Sequence, residues 1–81
     1  MKKVTGMAID TQNDTLHYLC GALSLFRRLA KEQGWGYDEA EAIITRATKK
    51  GDRQLILAEL AKYTDGVDAR QIMPTLLGTP V

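Results

Sequence analysis

Residues 16–32 read LHYLCGALSLFRRLAKE, and this segment determines the architecture expected for the whole chain. On a helix with 100° per residue, its apolar side chains cover an arc of roughly 220°, whereas an ordinary surface helix has a stripe of about 100°. One row with heptad spacing leads from Leu16 to Ala30, and a second row beside it leads from Tyr18 to Leu29. The complete arc consists of Leu16, Tyr18, Leu19, Cys20, Ala22, Leu23, Leu25, Phe26, Leu29 and Ala30. We therefore expect a helix that is covered on more than one side.

Capping residues mark both ends of this first helix. Between Thr11 and Asp14 the chain offers several N-cap side chains, and the spacing of those two residues resembles a capping box. Gly34 follows the last turn and favours a left-handed C′ conformation, in which Trp35 folds back onto Ala30. At a rise of 1.5 Å per residue, the predicted helix of about 20 residues is a rod of roughly 30 Å.

Two shorter helices follow. Asp38 is the predicted N-cap of the second helix, with Glu41 at its third position, and Gly51 ends it. Asp52 caps the third helix directly after that glycine, and Gly66 stops it, so the two helices form a tight corner. The apolar stripe of the second helix consists of Ala40, Ile43, Ile44 and Ala47.

These signals predict an all-α fold. It is a small helical bundle in which one long N-terminal helix packs against a short helical hairpin and a kinked C-terminal helical segment. Residues 1–10 are expected to form a flexible N-terminal arm, and residues 11–81 a single helical domain. In the C-terminal segment, Asp68 is a candidate cap and Pro74 breaks the helix. No strand pattern is long enough to build a sheet.

The composition is that of one ordinary globular domain, with 81 residues, 44% hydrophobic and 26% charged. Eleven Lys and Arg face ten Asp and Glu, so net charge attracts neither nucleic acid nor an anionic membrane. One cysteine and one histidine exclude an intramolecular disulfide and argue against a metal site. We expect no cofactor, because the sequence has no calcium-loop, phosphate-loop, dinucleotide or zinc-spacing motif. We expect no membrane partner, because no apolar run has membrane or signal length. A lone cysteine favours a cytoplasmic location.

His17 and Cys20 form the one nucleophile–base pair that this sequence permits. No residue is in place to orient the imidazole, and a cysteine in mid-helix lacks the activation that a helix N-terminus provides. We expect a solvated histidine and a small apolar cysteine at the edge of the core, and we predict that the protein is not an enzyme. Gly21 costs about 1 kcal/mol relative to alanine at mid-helix. It either marks the close approach of another backbone or has no special role.

The wide apolar arc leaves two interpretations open. A central helix of a bundle is apolar nearly all round, or a second molecule covers what the chain leaves bare. The second interpretation predicts a small non-catalytic protein–protein interaction module, an adaptor, regulator or inhibitor of a larger partner, most economically a homodimer. The predicted interface residues are Leu16, Tyr18, Leu19, Leu23, Leu25, Phe26, Leu29 and Trp35.

The alternative function is that of a small DNA-binding regulator. Four basic side chains surround the corner between the second and third helices, an arrangement similar to a basic helix-turn-helix. These possible nucleic-acid contacts are Arg46, Lys49, Lys50 and Arg53. The turn is shorter than the usual one, and Lys50 and Asp52 lie where apolar residues are expected. The sequence therefore favours protein contact over DNA contact.

Two more features lie near the end of the first helix. Arg27, Arg28 and Lys31 form a second basic group. Trp35 and Tyr37 flank a glycine just beyond it, and aromatic side chains are favoured anchors of interfaces. An aromatic residue after a helix end more often packs back onto that helix. At the rim of an interface it can both pack on its own helix and contact a partner.

Overall fold

The computed structural model of the protein describes residues 2–66. The elements are β1 (Val4–Thr5), α1 (Leu16–Glu32), α2 (Tyr37–Thr48), α3 (Arg53–Ala61) and β2 (Thr64–Asp65). The fold is mostly helical, with three helices and a two-stranded parallel sheet. The predicted kinked segment that contains Asp68 and Pro74 lies outside the described residues.

α1 begins later than the sequence predicts. Its N-cap is Thr15, whose Oγ1 accepts a hydrogen bond from the backbone N–H of Tyr18 at 3.2 Å. Thr11 and Asp14 precede the helix, because the chain first makes a turn in which the Asp10 carboxylate accepts from the N–H of Gln12 at 3.0 Å. The capping box of Thr11 and Asp14 is therefore wrong, and the observed cap lies one residue after Asp14, the last of the predicted candidates.

The end of α1 has the geometry that the sequence predicts. Gly34 adopts a φ of +88°, and its N–H donates to the carbonyl of Lys31 at 3.1 Å. The N–H of Trp35 donates to the carbonyl of Ala30 at 2.9 Å. These two bonds define a Schellman ending, which aims the indole of Trp35 back at its own helix.

α2 begins two residues earlier than predicted. Its N-cap is Gly36, and the carboxylate of Glu39 accepts from the N–H of that glycine at 2.7 Å. Asp38 therefore lies inside the first turn, and Glu39 takes the capping position expected for Glu41. The assignment of Asp38 as the N-cap is wrong, because Glu39 accepts a hydrogen bond from the backbone N–H of Gly36, two residues before Asp38.

The corner between α2 and α3 forms as the sequence indicates. Gly51 has a φ of +81°, and Asp52 caps α3 by accepting from the N–H groups of Gln54 and Leu55 at 2.9 and 3.2 Å. α3 ends at Ala61, earlier than predicted, because the chain turns into the extended β2 strand.

The strand pair joins the two ends of the described chain. Val4 pairs with Thr64 and Thr5 with Asp65 in parallel register. The N–H of Val4 also donates to the carbonyl of Tyr63 at 2.8 Å. The purely helical expectation omits this sheet, because two-residue strands leave no periodic signal in a sequence.

The core lies between the three helices and the N-terminal segment. Its fully buried large side chains are Val4, Phe26, Leu57 and Leu60. The rings of Phe26 and Trp35 meet edge to face with centroids 5.6 Å apart. This geometry is the favoured one for aromatic pairs, and it holds the end of α1 against the start of α2.

The segment predicted as a flexible arm packs on the helices. Val4 and Met7 are buried, and the side-chain amide of Gln33 both accepts from the N–H of Thr5 and donates to its carbonyl, each at 2.8 Å. The hydroxyl oxygen of Tyr18 accepts from the N–H of Asp10 at 2.7 Å. This segment contributes to the core and ties the chain start to both ends of α1.

Candidate protein-binding surfaces

The structure distributes the predicted interface residues over three environments. Leu19, Phe26 and Trp35 are buried within the same chain. Tyr18, Leu23, Leu25 and Leu29 are half-buried against the core. Leu16 alone among these eight is exposed, with 61% of its surface accessible. Leu19 and Phe26 are covered by their own chain and Trp35 keeps only 8% of its surface, so a homodimer contact uses none of these three side chains.

The second apolar row of α1 is partly covered by the N-terminal segment. Met7 and Ala8 lie against Tyr18 and Leu25, where they line a shallow cavity of about 310 Å³. Sequence reasoning assigned this coverage to other helices, to the C-terminal segment or to a partner. It missed residues 2–10, whose few apolar side chains, Val4, Met7, Ala8 and Ile9, make a segment too short to form a recognisable element.

An apolar end, defined here by Leu16, Cys20 and Leu55, lies where α1 and α3 begin. The Arg53 guanidinium donates through Nε to the carbonyl of Asp14 at 2.6 Å, which places the start of α3 beside the start of α1. Leu55 is 54% exposed. Cys20, expected at the core edge, is exposed one turn after Leu16. Sequence reasoning did not include Leu55 among the predicted interface residues.

A groove of about 680 Å³ lies at the other end of α1, and we call it the Trp35 groove. Trp35 is its buried aromatic residue, and Tyr37 borders it with 78% of its surface exposed. Arg28 and Lys31 line it from the last turns of α1. The structure thus brings together the aromatic pair and the basic group that the sequence analysis treated separately.

An ion pair joins the two helices that form this groove. Arg27 Nε lies 2.7 Å from Glu41 Oε2, and Arg27 Nη2 lies 3.4 Å from Oε1. The hydrogen bond to Glu41 raises the pKa of the Arg27 guanidinium above its ordinary value. Both side chains remain accessible to water, so the pair orients the walls of the groove more than it stabilises the fold.

The position of Trp35 is secured from the N-terminal side. Lys2 Nζ lies 5.1 Å from the centroid of the indole, a cation–π distance, and 2.9 Å from Glu39 Oε1. The pKa of Glu39 is lowered, first by the N–H of Gly36 and then by Lys2. These contacts hold the indole in one orientation at the edge of the groove.

The predicted nucleic-acid contacts lie at the α2–α3 corner, and three of the four engage their own chain. Arg46 donates to the hydroxyl of Tyr63 at 2.9 Å, and Lys50 lies 3.9 Å from Glu59. Arg53 is bound to the Asp14 carbonyl. Lys49 is exposed. DNA contact through these side chains stays a prediction.

His17 and Cys20 are both exposed on α1. His17 borders the shallow cavity beside Gly21, and a Cβ added at Gly21 meets no atom within 4 Å in the described part of the chain. Gly21 therefore marks no close backbone approach among residues 2–66. Over the same residues, no three His, Cys, Asp or Glu side chains lie together as metal ligands.

Comparisons with known proteins find no matching family model and no significant similarity to a curated protein or a solved structure. The helices within residues 2–66 are too short or too polar to cross a membrane.

Proposed function

We propose that this protein is a non-catalytic protein–protein interaction module, an adaptor, regulator or inhibitor, and that it acts as a homodimer formed through the apolar end. The observation that supports the proposal most directly is the exposure of Leu16, an apolar side chain at the first position of α1 with 61% of its surface accessible. Leu55, on the neighbouring helix start, is exposed to a similar extent.

Burial of these side chains supplies the driving force for association. Complete burial of one leucine contributes about 1.5–3 kcal/mol, and a two-fold axis makes every contact occur twice. Stable interfaces bury about 800 Å² on each partner, so two leucines serve as anchors within a larger contact. We expect a dimer with a dissociation constant in the micromolar range, because only two leucines on each chain anchor it.

The proposal places the protein in the cytoplasm. Its one cysteine is exposed, and an exposed thiol persists in a reducing compartment, whereas it is oxidised or paired in an oxidising one.

Cross-linking through Cys20 tests the dimer. Each chain has one cysteine, so a flexible bismaleimide joins two chains only when their Cys20 thiols lie near each other. We expect a covalent dimer from the wild-type protein at micromolar concentration and much less from Leu16→Asp. An aspartate in the first helical turn is favourable, so this variant keeps its fold.

Ala42→Asp provides the matched control, because Ala42 is exposed on α2, a helix that contributes no residue to the apolar end. It introduces the same charge and should cross-link as the wild type does. Equal yields from wild type and Leu16→Asp, or no dimer from any variant, would show that the apolar end does not associate.

A further inference from the structure

We propose that the Trp35 groove binds an acidic segment of a different protein that inserts one aromatic side chain. This site is distinct from the apolar end, because it lies at the last turns of α1 whereas Leu16 is the first residue of that helix. The function inferred here therefore goes beyond self-association and names the chemistry of a second partner.

The groove has room for an aromatic side chain together with the peptide segment that carries it. A volume of about 680 Å³ is within the range of ligand-binding clefts. Tyr37 supplies the exposed aromatic surface of the groove, because Trp35 lines it with only 8% of its own surface accessible. Tyr37 has no ring partner among the described residues. Aromatic residues dominate the binding energy of interfaces when they enter a preformed cleft. The fixed orientation of Trp35 means that little ordering is needed before a partner binds.

The charge around the groove selects an acidic partner. Arg27, Arg28 and Lys31 line it, and Glu41 is the one carboxylate among its described lining residues. Arg27 neutralises Glu41 through their hydrogen bonds, which leaves two positive charges.

Those two charges are weakly engaged within the chain. Arg28 lies 3.8 Å from Glu32 in an ion pair whose two side chains are highly exposed, so solvent screens it. The side-chain ammonium of Lys31 has no hydrogen bond or ion pair with any other residue in 2–66. Arg28 and Lys31 are three positions apart on one helix, so their Cβ atoms are about 5–6 Å apart. Two neighbouring carboxylates of a peptide can pair with side chains at this spacing.

The same observations disfavour single-stranded nucleic acid. Grooves for single strands offer several aromatic platforms on which successive bases stack. Here Phe26 contacts Trp35 and Lys2 lies over its ring, so Tyr37 is the one exposed ring at the site in the described chain. The formal net charge of the protein is only +1.

The fluorescence of Trp35 is a direct probe, because the sequence contains one tryptophan. The measurement is a titration with a short peptide in which one phenylalanine is flanked by aspartates and glutamates. Three further probes are the peptide with alanine for phenylalanine, the peptide with lysines for its acidic residues, and oligo-dT. We expect saturable binding of the first peptide alone, with an affinity that falls as salt is added.

Lys31→Glu and Lys49→Glu form a matched pair for this titration. Both lysines are exposed near a helix C-terminus, and both changes reverse one charge, but Lys31 lines the groove and Lys49 lies at the α2–α3 corner. Reversing a partly screened rim charge should weaken binding by about five- to tenfold for Lys31→Glu. Lys49→Glu should stay within about twofold of the wild type.

The titration is carried out on both the wild type and Leu16→Asp, so the result does not depend on the dimer. Equal binding of the acidic and lysine peptides, equal effects of the two charge reversals, or binding of oligo-dT in preference to the acidic peptide overturns the proposal. Failure of the acidic peptide to bind also overturns it and leaves the cross-linking result unaffected.

Discussion

At the scale of single residues, Gly66 has the least space of the described glycines. A Cβ built at this position would overlap the backbone carbonyl group of Met7, closer than non-bonded atoms approach each other. Gly66 directly follows β2, and Met7 lies two residues after β1. The glycine thus allows the two backbone segments to approach each other beyond the strand pair.

Gly66→Ala is therefore expected to destabilise the protein by about 1–3 kcal/mol, the usual cost of forcing atoms into filled space. Gly21→Ala is its matched control and should stabilise by about 0.5–1 kcal/mol, since an added Cβ there meets no atom in the described chain and alanine favours helix. Urea denaturation measures both. Two changes of the same sign and size would contradict the structure around Gly66.

Glu59 makes the stability depend on pH. Its pKa is lowered, first by the hydrogen bond from Lys62 at 3.1 Å and further by the charges of Lys50 and Arg46. A carboxyl group with a lowered folded-state pKa contributes its full stabilisation above its unfolded value of 4.5. That contribution is lost as the pH falls through the lower, folded-state value.

In the variant Glu59→Gln this titration is removed. Thermal unfolding is measured at pH 6 and at pH 3. Between these two values, the Tm of the wild type should fall further than the Tm of the variant. The variant should be the less stable of the two at pH 6. An equal loss of Tm in both proteins would mean that Glu59 has no part in the acid sensitivity.

At the scale of elements, the N-terminal segment is the part that completes the helical core. Val4 is fully buried and forms the strand pair with Thr64, although it precedes α1 by more than ten residues. Val4→Ala should cost about 1–3 kcal/mol, as deletion of buried methyl groups does. The exposed neighbour Lys3, changed to alanine, should stay within about 0.5 kcal/mol. Equal midpoints of urea denaturation would show that the segment does not pack.

The helix ends show which features a sequence can predict. Gly34, Gly51 and Asp52 were assigned their roles correctly, because a left-handed glycine and a capping aspartate act on the two or three residues beside them. The predicted start of α2 was wrong, because Glu39 and Glu41 both lie near it and either could complete a capping box. Contacts with Lys2 and Arg27, far away in the sequence, determine which glutamate caps the helix.

The strand pair and the burial of α1 were beyond sequence reasoning for a related reason. Val4 and Thr64 are separated by the three helices, and neither strand has a pattern of its own. The sequence identified the wide apolar arc of α1 correctly, but it could not tell that Met7 covers part of it. Long-range coverage depends on the complete packing of the chain, which residue periodicity does not encode.

At the scale of the whole molecule, α1 separates two surfaces of different chemistry. The apolar end offers two leucines and a thiol, and the Trp35 groove offers aromatic rings with positive charge. The residues of the groove were named from the sequence as two unrelated groups, since only the turn between α1 and α2 brings them together. Leu55 was not identified as a surface residue from the sequence, because the apolar surplus was sought on α1 alone.

Sedimentation equilibrium of the wild-type protein is the most direct test of association through the apolar end. We expect a concentration-dependent mass that approaches twice the 9.0 kDa of one chain as the concentration rises through the micromolar range. Leu16→Asp should sediment as a single chain under the same conditions, with an unchanged helical circular dichroism spectrum. A wild-type protein that keeps the mass of one chain at every concentration would contradict the proposed homodimer.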